Sequence, residues 1–197
     1  MTIWRRTRFD PPNRQCRHWL LQRLACVVVA FTALLHAAQS HAMNAGDAIL
    51  TMVFIYNIAQ FTEWPAAALA QQQQPLTLCM LGDTGSLTPG LSAIDAQTLQ
   101  GRRLKVRHLN SPGLAGCQML FIAKSEEKEL SRILPGAHAR HILTLSDIGG
   151  FAQAGGAVGL IGSKDTIAFD VNPAALKLAG LRISSEVLKL ARAVAGK

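Results

Sequence analysis

The feature that most limits how this chain can fold is a series of short strand-like runs set apart by helical ones. Leu76 to Leu81 is a continuous apolar run stopped by Gly82-Asp83. Arg102 to Leu109 alternates basic with apolar residues, Gln118 to Ala123 is apolar again, and His141 to Leu145 leads into Ser146-Asp147. Unbroken apolar runs of this length suit strands buried on both faces, and strict alternation suits a strand with one solvated face. Between them, Pro89 to Ala96 reads as a short helix. A second helix opens at Ser125, which can cap it, with Glu126 and Glu127 at its positive end and a stop near Pro135-Gly136. Strands alternating with helices at this spacing predict right-handed crossovers and a parallel sheet.

The two ends follow other rules. Residues 45–63 carry Ile49, Met52, Val53, Tyr56 and Phe61, a spacing that predicts a helix buried on most of its circumference and ended by Pro65. Ala66 to Gln74, with four consecutive glutamines, reads as a solvated loop. Near the far end, Ala157–Ile161 and Thr166–Val171 flank Gly162-Ser163-Lys164-Asp165, which predicts an antiparallel hairpin. Asn172-Pro173 opens a helix that Gly180 is suited to close, and Ser184 or Ser185 caps a last helix expected to run through Val194. The expected fold is a single three-layer α/β/α sandwich. Its Rossmann-like mixed sheet has a largely parallel core and a C-terminal antiparallel hairpin.

The first 42 residues read as an export signal. Six arginines precede the uncharged run Leu24 to Leu35, and Ser40-His41-Ala42 offers a small-residue site with cleavage between Ala42 and Met43. The run has 12 residues, well short of the roughly 20 a spanning helix needs. An uncleaved N-terminal anchor is the rival reading. The domain plan is therefore residues 1–42 as signal peptide and 43–197 as one periplasmic domain. Removing the leader lowers the formal charge from +8 to +3, so the basic character belongs largely to the signal. Arg102, Arg103, Lys105 and Arg107 fit the solvated face of one strand better than a polyanion site, so no nucleic-acid partner is expected.

Export also bears on the cysteines. Cys79 and Cys117 remain in the mature chain, and an even pair in an oxidising compartment predicts a disulfide. A reactive or metal-binding pair is the rival, although neither Cys-x-x-Cys nor a matching pair of histidines accompanies them.

Several motifs recur in one order. They are Tyr56-Asn57 with Glu63-Trp64-Pro65, Leu78-Cys79 before Gly82-Asp83, Gly101-Arg102, and Cys117 ahead of Leu120-Phe121-Ile122 and Ser125-Glu126. Leu143-Thr144-Leu145-Ser146-Asp147, Gly150-Phe151, Gly155-Gly156, Phe169 with Asn172, and Gly180-Leu181 with Ile183-Ser184-Ser185 complete the set. In this order the chain resembles the YfiR family over about residues 50–194. That family consists of small periplasmic proteins that restrain a membrane-bound diguanylate cyclase. The resemblance implies a regulatory protein rather than an enzyme. Its partner would be the periplasmic domain of an inner-membrane cyclase, with an outer-membrane lipoprotein as a releasing partner and a homodimer as a plausible state. Binding would lower cyclic-di-GMP signalling and biofilm formation. Family members can carry a second cysteine pair around Gly155-Gly156. This chain has none there, which leaves the Phe151–Ile161 segment to be held by packing.

Candidate sites follow from the expected sheet. Ligands on open α/β sheets tend to sit beyond the carboxyl ends of parallel strands, where Asp83, Ser125, Ser146 and Asp147 collect with Phe151 close behind. Either they line a crevice for a partner or small ligand, or they are ordinary turn and cap residues. A periplasmic small-ligand-binding protein using that crevice is the alternative function. Trp64 and Phe151 are either interface anchors or core aromatics, and Phe61 is the weaker interface candidate. No phosphate-cradle motif, nucleophile elbow or metal-ligand cluster is legible, and His138 and His141 read as surface residues. No catalytic residue, metal or cofactor is assigned.

Overall fold

The computed structural model describes residues 44–69, 74–111, 113–163 and 166–194. The leader and its cleavage site lie outside the described residues. Within them the chain forms an α/β/α sandwich around an eight-stranded mixed sheet.

Helix α1 spans Asn44–Gln60 and is followed by the two-residue strand β1, Thr62–Glu63. Strand β2 is Leu76–Leu81, α2 is Thr88–Ile94, β3 is Thr98–Leu99 and β4 is Arg102–Leu109. Strand β5, Met119–Ile122, leads through a 3-10 stretch to α3, Leu130–His138, and then to β6, Leu143–Ser146. The hairpin is β7, Val158–Ser163, with β8, Thr166–Val171; α4 (Pro173–Leu178), β9 (Arg182–Ile183), α5 (Ser185–Leu190) and β10 (Ala193–Val194) complete the fold. The sheet order is β10-β8-β7-β6-β5-β2-β4-β3. From β4 to β7 every neighbouring pair is parallel, and β8 turns back antiparallel on β7 as the hairpin signal predicts.

The two apolar strands supply both cores because alternate side chains leave a strand on opposite faces. Leu76, Leu78 and Met80 of β2 join Met119 and Phe121 of β5 in the layer under α1, α2, α4 and α5. Cys79 and Leu81 join Leu120 and Ile122 in the layer under α3. Asn172 caps α4 by accepting from the Ala175 N–H at 3.0 Å. Ser184 caps α5 by accepting from the Val187 N–H at 3.4 Å.

Several sequence expectations need correction. Helix α1 ends at Gln60 rather than 63, because Thr62 and Glu63 leave it to pair antiparallel with Ile183 and Arg182 of β9. It is also buried on one face only: Ala48, Met52, Ile55, Ile58 and Ala59 pack inward while Ile49, Leu50 and Val53 face out. Helix α3 runs through Pro135-Gly136 to His138. Ser125 makes no cap bond there; its hydroxyl accepts from the Asp83 N–H instead. The last helix stops at Leu190, and Ala193-Val194 joins β8 as a parallel edge strand.

Candidate functional site

The topological switch of the sheet lies between β2 and β5, since the chain goes first to one side of β2 and then to the other. At that point Gly82 adopts φ +87°, and a Cβ there would overlap the Ser125 hydroxyl. The Asp83 N–H donates to Ser125 Oγ at 2.9 Å, and the Asp83 carboxylate accepts from the Gly85 N–H at 3.3 Å. Asp83 and Ser125 are thus brought together, but in a contact that closes the two loops on each other. One strand further along, Ser146 is fully buried. It donates to the Ile122 carbonyl at 2.6 Å and accepts from the Ile148 N–H at 3.0 Å, which commits its hydroxyl to holding β6 beside β5. Asp147 reaches solvent, yet desolvation around its carboxyl pushes its pKa above the usual aspartate range; its own backbone N–H and the Lys124 charge partly offset this. The edge therefore presents separate polar groups, with Asp147 facing Lys124, rather than a nucleophile joined to a base.

The aromatics fall differently from their ranking in the sequence. Trp64 is 8% exposed, and its indole N–H donates to the Gln118 carbonyl at 3.2 Å. Phe151 is buried in the layer under α3, so tightly that a Cβ on Gly156 would strike its ring. Phe61, the weaker candidate, is the exposed one at 51%. It extends the outer face of α1, where Ile49, Leu50, Val53 and Asn57 are also exposed and no charge interrupts them between Asp47 and Glu63. A period of three to four over the outward residues is the available signal, and it is hidden when the helix is read as buried on most of its circumference.

Cys79 on β2 and Cys117 ahead of β5 form a disulfide with Cα atoms 5.8 Å apart. Both cysteines are buried. Arg107, directly opposite Cys79 in the β2–β4 register, does not join the solvated basic face assigned to it from alternation. Its Nη2 lies 3.4 Å from Cys79 Sγ and 3.1 Å from Cys117 Sγ, and donates to the Ala115 carbonyl at 2.6 Å. Nothing local in the sequence marks this, because the contact exists only once β4 lies beside β2.

A third polar cluster was missed altogether. Asp170, on the buried face of β8, accepts from Arg192 at 3.1 and 2.8 Å, beside a cavity of about 360 Å³ under the Ile148–Gln153 turn. The Arg192 guanidinium, with help from Gln153 and the Ala193 N–H, holds the Asp170 carboxyl below the usual aspartate range against the opposing effect of burial. Of the two histidines, His138 closes α3 with its pKa lowered by burial, and His141 Nδ1 lies 2.8 Å from the Ala179 carbonyl. The structure does not bring them into one ligand set.

A family model described as YfiR/HmsC-like matches residues 49–192. Among solved structures, a conserved domain protein from Vibrio cholerae O1 biovar El Tor strain N16961 is similar at 9% identity and a TM-score of 0.41, over 66% of this chain and 57% of that one. The ABC domain in complex with L-Trp from Streptococcus pneumonia is similar at 10% identity and a TM-score of 0.49, over 71% of this chain and 61% of that one. The chain spans less than two thirds of either protein, and likeness at this level carries no functional argument.

Proposed function

Because this chain belongs to the YfiR/HmsC-like family, we propose that it is a periplasmic regulatory protein that binds and inhibits an inner-membrane diguanylate cyclase. The observation that carries this reading is the extent of the family match, residues 49–192, which takes in almost all of the described fold. Members of this family are associated with regulating membrane diguanylate cyclases from the periplasm.

The outer face of α1 supports a protein partner. Ile49, Leu50, Val53 and Phe61 are 37–51% exposed, and uncharged contiguous surface of this kind is what interface cores are made of. Inhibition needs no chemistry from this chain. It needs only tighter binding to the inactive cyclase conformation than to the active one, with about 5.5 kcal/mol of difference for a switch from 1:99 to 99:1. Release, by an outer-membrane lipoprotein or by loss of the folded state, would raise cyclic-di-GMP and favour biofilm formation. A homodimer is the other use of the same face.

The test is co-purification of the tagged protein with solubilised inner-membrane proteins, comparing the wild type with Val53→Glu and Phe61→Glu. Recovery of a cyclase with the wild type and its loss in variants of unchanged melting temperature supports the reading. A wild-type protein that recovers no membrane cyclase overturns it.

A further inference from the structure

A second surface lies away from the sheet's carboxyl edge. Pro173, Leu176, Leu181, Ile183 and Leu188 form the floor and walls of an open groove of about 510 Å³ between α4, β9 and α5. Its charged lining consists of Lys177 and Arg182, both exposed. Among the described residues neither makes an ion pair. Arg182 stands opposite Glu63 in the β1–β9 register without forming a salt bridge, and the nearest acid on α5, Glu186, is engaged by Lys189 at 3.0 Å.

We propose that this groove docks an acidic, amphipathic peptide segment of a partner protein, with apolar side chains entering the groove and carboxylates meeting Lys177 and Arg182. Three features select that chemistry. The walls are aliphatic, so the inserted part must be apolar. The charged residues that line it, Lys177 and Arg182, are cations outside any ion pair among the described residues, so anionic flanking groups complement them and a basic segment is repelled at both positions. The groove is also open along one side, which suits a helix or strand laid across it better than a small molecule that needs most of its surface enclosed. The Ser184 N–H donates to the Phe61 carbonyl at 3.1 Å, so the chain at the groove's far wall is tied to the end of the apolar α1 face.

Peptide binding at this groove is read independently of cyclase recovery. The experiment is fluorescence anisotropy on the exported protein purified from the periplasm. The probe is a labelled amphipathic helical peptide with leucines at i, i+3, i+4 and i+7 flanked by glutamates. Its Glu→Lys counterpart and sodium octanoate are run beside it. The acidic peptide should bind and the lysine peptide should not. Lys177→Glu with Arg182→Glu should weaken the acidic peptide by about tenfold or more and strengthen the lysine peptide, as charge complementarity requires. If the double variant melts below the wild type, Lys177→Gln with Arg182→Gln replaces it, and only the loss is then expected. Equal binding of both peptides overturns the proposal. So does no binding of the acidic peptide at about 1 mM, or saturation by octanoate alone.

Discussion

Arg107 Nη2 sits 3.1 Å from Cys117 Sγ, so a permanent cation lies on a buried disulfide. When an external thiolate attacks one sulfur, the other leaves as a thiolate, and it leaves faster the lower its pKa. The apolar neighbours Leu114, Leu120 and Ile133 offer the departing thiolate no stabilisation, whereas the adjacent guanidinium meets its negative charge directly. Arg107→Gln is therefore expected to slow reduction by dithiothreitol, by about threefold or more on the leaving-group dependence. Timed alkylation and mass spectrometry read the rate. Equal rates in the two proteins would show that access to the sulfurs, and not charge, sets it.

Removing the bridge should be costly. The cysteines are 38 residues apart in sequence, and a loop of that size gives at most about 4 kcal/mol in the chain-entropy account. Cys79→Ser should lower the melting temperature clearly and, under the proposed function, relieve repression in cells. A variant with wild-type melting and full repression would contradict both expectations.

Gly90 lets α2 lie directly against the backbone of α1. A Cβ at position 90 would strike the Ala48 carbonyl and press on Met52. Backbone cannot yield as a side chain can, so Gly90→Ala is expected to cost about 1–3 kcal/mol through overpacking. Urea denaturation measures it; an unchanged midpoint would mean that the helices slide apart freely.

The Asp170–Arg192 pair should give the protein an acid limb. Asp170 has its pKa depressed in the folded state, so the unfolded chain takes up its proton first as pH falls. The stability it contributes is present above the ordinary aspartate value of about 3.9 and is lost as pH drops through the lower folded value. Asp170→Asn should flatten that part of the curve of melting temperature against pH while leaving its course near neutrality parallel to the wild type. An identical acid limb in the variant would remove the pair from the account.

What could be read from the sequence was what neighbours in the chain decide. The bounds of β2 and β4, the hairpin, and the caps at Asn172 and Ser184 all follow from residues within a few positions of one another. The disulfide followed from pairing the two cysteines left once residues 1–42 are read as an export signal. What was missed depends on partners far away. Thr62 leaves α1 because Ile183 waits for it, and Ala193 extends because Asp170 offers an edge. Ser125 gives up its cap to hold Asp83, and Arg107 turns from solvent to sulfur. Local propensity favoured the simpler outcome in each case, and tertiary contact overrode it.

The pairing of β1 with β9 has a consequence for how the molecule is made. Thr62-Glu63 comes early in the domain and its partner Arg182-Ile183 late, so the segment following α1 lacks its strand partner until the chain has been delivered as far as Ile183. Ribosomes and export channels both hand over the amino end first. A chain built this way arrives with that seam still open, and the seam closes only after β9 has followed.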